Sequence, residues 1–255
     1  MVGSWRCGWL LTVVLCYHPI IMATIILTRH GQNDWVKEGR LAGWIPGVHL
    51  NDAGIQQATD TAARLGQLPI RAVYSSPIDR CMETATIIAA TWQLDVIPLE
   101  AIGEVRYGEW EGEKIKELAK TKTWHTVQYF PSRMRFPGGE SFCEVQQRAV
   151  NALETLSLRH EEDMIVVVSH ADVIKLLLAH YLGIHIDLFQ RIAVAPASVS
   201  VLHLLENGAV RVERVNDDGP LRPPPAKPAA ETGETEPSAT ANEHEDPLQS
   251  VGEKV

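Results

Sequence analysis

The chain has 255 residues, 45% of them hydrophobic, and a formal net charge of −9. That length supports one sizeable core, and the negative balance argues against binding nucleic acid through a bulk basic field. Nine acidic and three basic residues lie from Asp217 to the end, so −6 of the charge belongs to a tail and −3 to a nearly neutral body.

Residues 1–22 read as an N-terminal extension. An apolar run from Gly8 to Tyr17 follows a single arginine, like the start of a signal peptide, but no small-x-small cleavage site follows. The run is shorter than the roughly 20 residues a membrane span needs, and His18-Pro19 interrupts it. The reading preferred here is a mis-assigned start upstream of Met22; if genuine, the segment would anchor or export the chain. Four cysteines (Cys7, Cys16, Cys81 and Cys143) show neither a CxxC pair nor a Cys/His metal spacing. That usage fits a reducing cytoplasm, the expected location.

Thr24 to Thr28 predicts a short strand rich in β-branched residues, ending in Arg29-His30-Gly31. A helix follows over 51–68, with Asn51 or Asp52 as N-cap. Then come a strand over 70–76, a helix opened by Pro77, and an extended segment over 94–102. Glu111 to Thr126 reads as one helix, and 129–141 as a loop. Residues 143–160 predict a long helix, 164–170 an apolar strand, and 171–183 a helix ended by Gly183. Two last strands flank Asn207-Gly208, a hairpin signal. The alternation predicts an α/β three-layer sandwich over 23–216. Its central sheet is mostly parallel with an antiparallel edge, with helices on both faces and a small helical cap. Residues 217–255 are acidic and Pro-rich, with few large apolar side chains, and are expected to be disordered.

In open α/β sheets ligands bind at the carboxyl ends of strands. The residues that follow the predicted strands are Arg29, His30 and Gly31; Ser75, Ser76 and Arg80; Glu104; and His170. Two guanidinium groups can clamp a phosphate, and a neutral imidazole can attack phosphorus. A carboxylic acid can protonate the leaving oxygen and later deprotonate a water. The second imidazole can donate to phosphate oxygens, and Gly31 lets the backbone approach closely. Taken singly, His170 reads as a satisfied core histidine, Arg80 as a solvated helix face and Glu104 as one loop carboxylate among many. Their coincidence after successive strand ends favours the chemical reading.

The pattern "LTRHGQN … SSPIDR … GEVRYGEWEG … PGGES … VSHA" resembles the histidine phosphatase superfamily, also called phosphoglycerate-mutase-like, over roughly Ala23 to Val215. The resemblance implies that His30 is phosphorylated in turnover. Arg29, Arg80 and His170 would form the phosphate pocket, and Glu104 would donate the proton. Gly31 and Asn33 would belong to the substrate site, with Glu140 and Ser141 of "PGGES" near its entrance. It implies no metal and no organic cofactor. The chain departs from the family's pattern at Asn33, where Thr or Ser is common, and at Val36, where Asn is common; Asn33 can still donate a hydrogen bond and Val36 cannot.

The stretch between Glu104 and His170 lacks the long basic insertion of glycolytic mutases and looks like the smaller phosphatase or phosphomutase branch. The expected activity is therefore hydrolysis of a small phosphate ester through a phosphohistidine, with no nucleic-acid or membrane partner. A phosphoglycerate-mutase-type phosphomutase and a non-catalytic phospho-ligand binding protein are the alternatives. A zinc hydrolase built on two histidines and a carboxylate is opposed by the two arginines. Trp110, Trp124, Tyr129 and Phe130 form either a lid over the leaving group or the core of the cap.

Overall fold

In the computed structural model, residues 21–220 are described; the expected leader and most of the expected tail fall outside the described residues. The first strand, β1 (Ile21–Arg29), carries six consecutive buried residues from Ala23 to Thr28. It begins three residues before the predicted start, so Ile21 and Met22 also belong to the sheet. The last strand before the chemistry-bearing histidine, β4 (Asp163–Ser169), is buried from Ile165 onward. An unbroken apolar run of this kind suits a strand covered on both faces.

These two pair in parallel, with Arg29 opposite Ser169. β2 (Ile70–Ser75) joins the other side of β4, also in parallel, and the short β3 (Val96–Pro98) extends that edge. On the far side, β5 (Val199–Leu205) runs antiparallel to β1, and β6 (Val210–Asp217) runs antiparallel to β5. The order is β3-β2-β4-β1-β5-β6. The parallel strands β1, β2 and β4 therefore deliver their C-terminal ends to one rim. The closing hairpin turns on four residues, with Gly208 at φ +79°.

Each face of the sheet has its own core. Ile26, Val73, Val166 and Val168 pack on α2 (Asp52–Leu65) and α3 (Asp79–Ala89) through residues such as Ala62, Leu65, Cys81 and Ile88. Ile25, Leu27, Tyr74 and Val167 pack on α6 (Phe142–Arg159) and α7 (Ala171–Tyr181) through Phe142, Leu153, Ile174 and Leu177. The long helix α6 starts with a reciprocal cap: the Ser141 hydroxyl accepts from the Glu144 amide, and the Glu144 carboxylate accepts from the Ser141 amide.

Two predicted elements differ. Residues 34–38 form a one-turn helix, α1 (Asp34–Glu38), capped by the Asn33 side chain and closed by Gly39 at φ +65°. The helix predicted from Glu111 to Thr126 is two short ones, α4 (Ile115–Leu118) and α5 (Lys122–Tyr129). The reason is local competition for the backbone. Gly112, in a turn at φ +88°, donates to Leu41 O and the Glu113 carbonyl accepts from the Leu41 amide, which delays the helix to Ile115; the Thr121 hydroxyl starts the second helix by accepting from the Trp124 amide. Among the described residues, no helix is long and apolar enough to cross a membrane.

Candidate active site

The rim made by β1, β2 and β4 gathers His30, Arg29, Arg80, Glu104 and His170. His30 follows β1 and is anchored by its amide, which donates to Ser169 O at 2.9 Å. Arg80 sits in the first turn of α3, and His170 is the N-cap residue of α7. Glu104 lies on the loop after β3. The side chains of Arg80 and His170 are essentially without solvent exposure.

The Arg80 guanidinium lies between the two imidazoles. Its Nε approaches His30 Nε2 at 3.3 Å and its Nη2 donates to His170 Nδ1 at 3.1 Å and to Gly43 O at 3.0 Å. The ring centroids of His30 and His170 are 5.3 Å apart. His30 Nδ1 is 2.8 Å from Gly31 O, so Nδ1 carries the proton and donates; Nε2 is left with its lone pair. His170 Nδ1 accepts from Arg80, and its Nε2 donates to Ser76 Oγ at 2.8 Å. Burial, reinforced by Arg80, holds both histidines well below the usual imidazole range, so both are neutral.

Glu104 sits 3.7 Å from Arg80 Nη2 and 3.4 Å from His170 Nδ1. Burial raises its carboxyl to about 7, with the nearby Asp172 adding to the rise and Arg80 opposing it. Glu104 is thus a carboxylic acid able to give and take a proton near neutrality.

His30, Arg29, Asn33, Arg80 and Glu104 line one cavity of about 180 Å³, with Val36, Tyr107 and Asp172 among its other walls. Three buried N–H donors on its walls have no partner: Arg29 Nε, Asn33 Nδ2 and Arg80 Nη1. A buried donor without a partner is costly, and an oxyanion in this cavity would satisfy all three. The Asn33 amide has one half committed, Oδ1 capping α1, and one half unpartnered, Nδ2. Val36, by contrast, offers only an apolar wall.

Other assignments change. Glu140 and Ser141 do not line this cavity. The Glu140 carboxylate accepts from Arg148 at 2.8 and 3.0 Å and from the Arg106 amide at 3.0 Å; the Ser141 hydroxyl is committed to the cap of α6. Both are scaffold residues. Gly31 is also required to be small by its packing: a Cβ there would stand 2.5 Å from Gly54 O in α2, and its amide donates to Thr84. His170 does not line the cavity either; it stands behind Arg80 and Glu104. Trp110 and Trp124 stack at 6.2 Å and line a second cavity, whereas Tyr129 and Phe130 are exposed and do not.

Sequence reasoning missed Arg148. From α6 its guanidinium donates to Ala101 O, Gly103 O and Glu104 O at 2.8–2.9 Å, which fixes the loop carrying Glu104. A mid-helix arginine carries no local signal for this. Ser76, which orients His170, was visible only as a neighbour of Arg80.

The model of the histidine phosphatase superfamily (branch 1) matches residues 25–218. The chain is 32% identical over 187 residues to phosphoserine phosphatase 1 of Hydrogenobacter thermophilus, covering 72% of this chain and 88% of the relative. It is 34% identical over 189 residues to the metal-independent phosphoserine phosphatase of Arabidopsis thaliana, covering 71% and 76%. Among solved structures it is similar to Bacillus stearothermophilus YhfR, with a TM-score of 0.72 and 29% identity over 76% of this chain and 97% of that one. The fold, the rim of histidines and arginines and the extent of these matches agree: the chain belongs to the histidine phosphatase superfamily.

Proposed function

We propose that the protein hydrolyses small phosphate monoesters through a phosphohistidine, without a metal. The observation that carries this is the set of three unpartnered buried N–H donors on the walls of a cavity that also holds the His30 imidazole and the Glu104 carboxyl. Arg29, Asn33 and Arg80 hold the phosphate oxygens. His30 Nε2 attacks phosphorus in line with the ester oxygen, and the P–O bond breaks as the Glu104 carboxyl passes its proton to that oxygen. Glu104, now a carboxylate, takes a proton from water as the water oxygen attacks the phosphohistidine; the N–P bond breaks and His30 is restored. Arg80 turns its free Nη group to the phosphate and is held from behind by His170 Nδ1, which accepts from Nη2. The guanidinium groups of buried Arg80 and half-buried Arg29 beside the histidines oppose a metal cation electrostatically.

The relatives named as phosphoserine phosphatases and the small cap support hydrolysis over mutase chemistry. The test is release of inorganic phosphate from p-nitrophenyl phosphate and a panel of metabolite esters in chelator, by the parent and His30→Ala. Release by the parent alone supports the proposal. Activity lost in chelator, or retained by His30→Ala, overturns it. Interconversion of phosphoglycerates without net release points instead to a phosphomutase.

A further inference from the structure

We infer that Asp172 and Lys175 read the leaving group, and that the substrate is the phosphate ester of a free α-amino acid. The inference rests on the phosphatase reading and names the substrate class for the same site. A second cavity of about 200 Å³ lies beside the one at His30, and Leu41, Tyr107, Ile115 and Asp172 belong to the walls of both. An alcohol leaving His30's cavity past Asp172 enters this second space. Its walls are largely apolar, including Trp110, Trp124 and Phe136, and its polar groups are the side chains of Asp172, Lys175, Gln190 and Gln128, with the Tyr107 hydroxyl.

A carboxylate at the edge of a phosphate cavity is electrostatically adverse to the phosphate. Its charge offsets that of Arg29 and helps hold the proton on Glu104. Such a group is useful where the ligand brings a cation. In the ligand-free protein, Asp172 Oδ1 accepts from Lys175 Nζ at 3.3 Å and Oδ2 accepts from the Tyr107 hydroxyl at 3.1 Å. Lys175 also donates to Gln190 Oε1 at 3.1 Å. The Asp172 and Lys175 side chains are only 20% and 17% exposed, so neither charge is left unpaired cheaply.

An α-amino acid ester resolves this by exchange of partners. Its ammonium takes Asp172 at the boundary of the two cavities, and its carboxylate takes Lys175 further in. One ion pair becomes two, and no charge is stranded. An ester with the ammonium alone strands Lys175, and one with the carboxylate alone strands Asp172. The pair therefore discriminates against both half-matches. The order phosphate, ammonium, carboxylate along the two cavities follows the order in which Arg80, Asp172 and Lys175 line them.

The experiment measures kcat/KM for O-phosphoserine, N-acetyl-O-phosphoserine and O-phosphoethanolamine, each relative to p-nitrophenyl phosphate. For the parent, the O-phosphoserine ratio should exceed both others by about tenfold or more. Asp172→Asn should lower the O-phosphoserine ratio by about tenfold or more and erase its advantage over the N-acetyl ester. Lys175→Met should lower the O-phosphoserine ratio and raise the phosphoethanolamine ratio, because the ammonium then pairs with Asp172 and strands no charge. Equal parent ratios overturn the inference while p-nitrophenyl phosphate hydrolysis keeps the phosphatase reading standing. So does a loss in both variants that falls equally on every ester, which marks a merely structural ion pair. No release from any ester overturns both readings.

Discussion

Replacing Arg148 by methionine removes the group that ties helix α6 to the loop carrying Glu104. The guanidinium satisfies three backbone carbonyls, of Ala101, Gly103 and Glu104, and the Glu140 carboxylate. Arg148 and Glu140 are 22% and 18% exposed, so water cannot fully replace the lost donors. At about 1 kcal/mol for each carbonyl and about 1 kcal/mol for the ion pair, the loss is about 4 kcal/mol. That is a large part of the roughly 5–15 kcal/mol that stabilises a domain. The loosened loop also takes Glu104 out of line, so kcat on an alkyl phosphate should fall by about tenfold or more. Urea unfolding gives the stability, and steady-state rates at a temperature where the variant stays folded give the kcat effect. A loss below about 1 kcal/mol with an unchanged kcat would refute the reasoning, because Arg148 would then hold neither the loop nor the acid.

The remaining predictions concern the site itself. Glu104→Gln should lower kcat/KM by about a hundredfold or more on alkyl esters and far less on p-nitrophenyl phosphate, whose leaving group needs no proton; equal losses in kcat/KM would remove the acid role. The Glu104 carboxyl is raised from an ordinary 4.5 to about 7, so the folded state binds more protons than the unfolded state between those values and stability falls as pH rises through them. Glu104→Gln should abolish that fall, gaining about 3 kcal/mol on the parent between pH 4.5 and pH 8 in phosphate-free urea titrations; parallel pH curves would contradict it. Arg80→Met should weaken inhibition by inorganic phosphate by about a hundredfold and, since Arg80 holds the Glu104 carboxyl down, move the loss of activity to higher pH. Gly31→Ala should cost about 2 kcal/mol in urea unfolding, because the new methyl meets the backbone of Gly54 at 2.5 Å and no flexible side chain can yield.

How much of this was legible in the sequence depended on whether the cause was local. β1 and β4 were readable because central strands covered on both faces are continuously apolar. The site was readable because chemistry-bearing residues directly follow those strands, and parallel pairing brings the strand ends together. Glu140 and Ser141 are tied to Arg148 and Glu144, and a motif match on "PGGES" does not reveal those partners. At Gly31 the close approach of α2 adds a second need for a missing side chain, and it shows only in three dimensions. The late start of α4 depends on Leu41, some seventy residues upstream of Gly112 and Glu113, and no local periodicity records it.

The central claim is that phosphate passes through His30. The most direct measurement mixes the enzyme with O-phosphoserine or p-nitrophenyl phosphate, quenches in base within milliseconds and locates the phosphate by peptide mass spectrometry. The account predicts a phosphoryl group on His30, sensitive to acid, absent from His30→Ala, and accumulating from p-nitrophenyl phosphate when Glu104→Gln slows attack by water. Burst-phase turnover with no phosphorylated residue, or with the phosphate on His170, would contradict it.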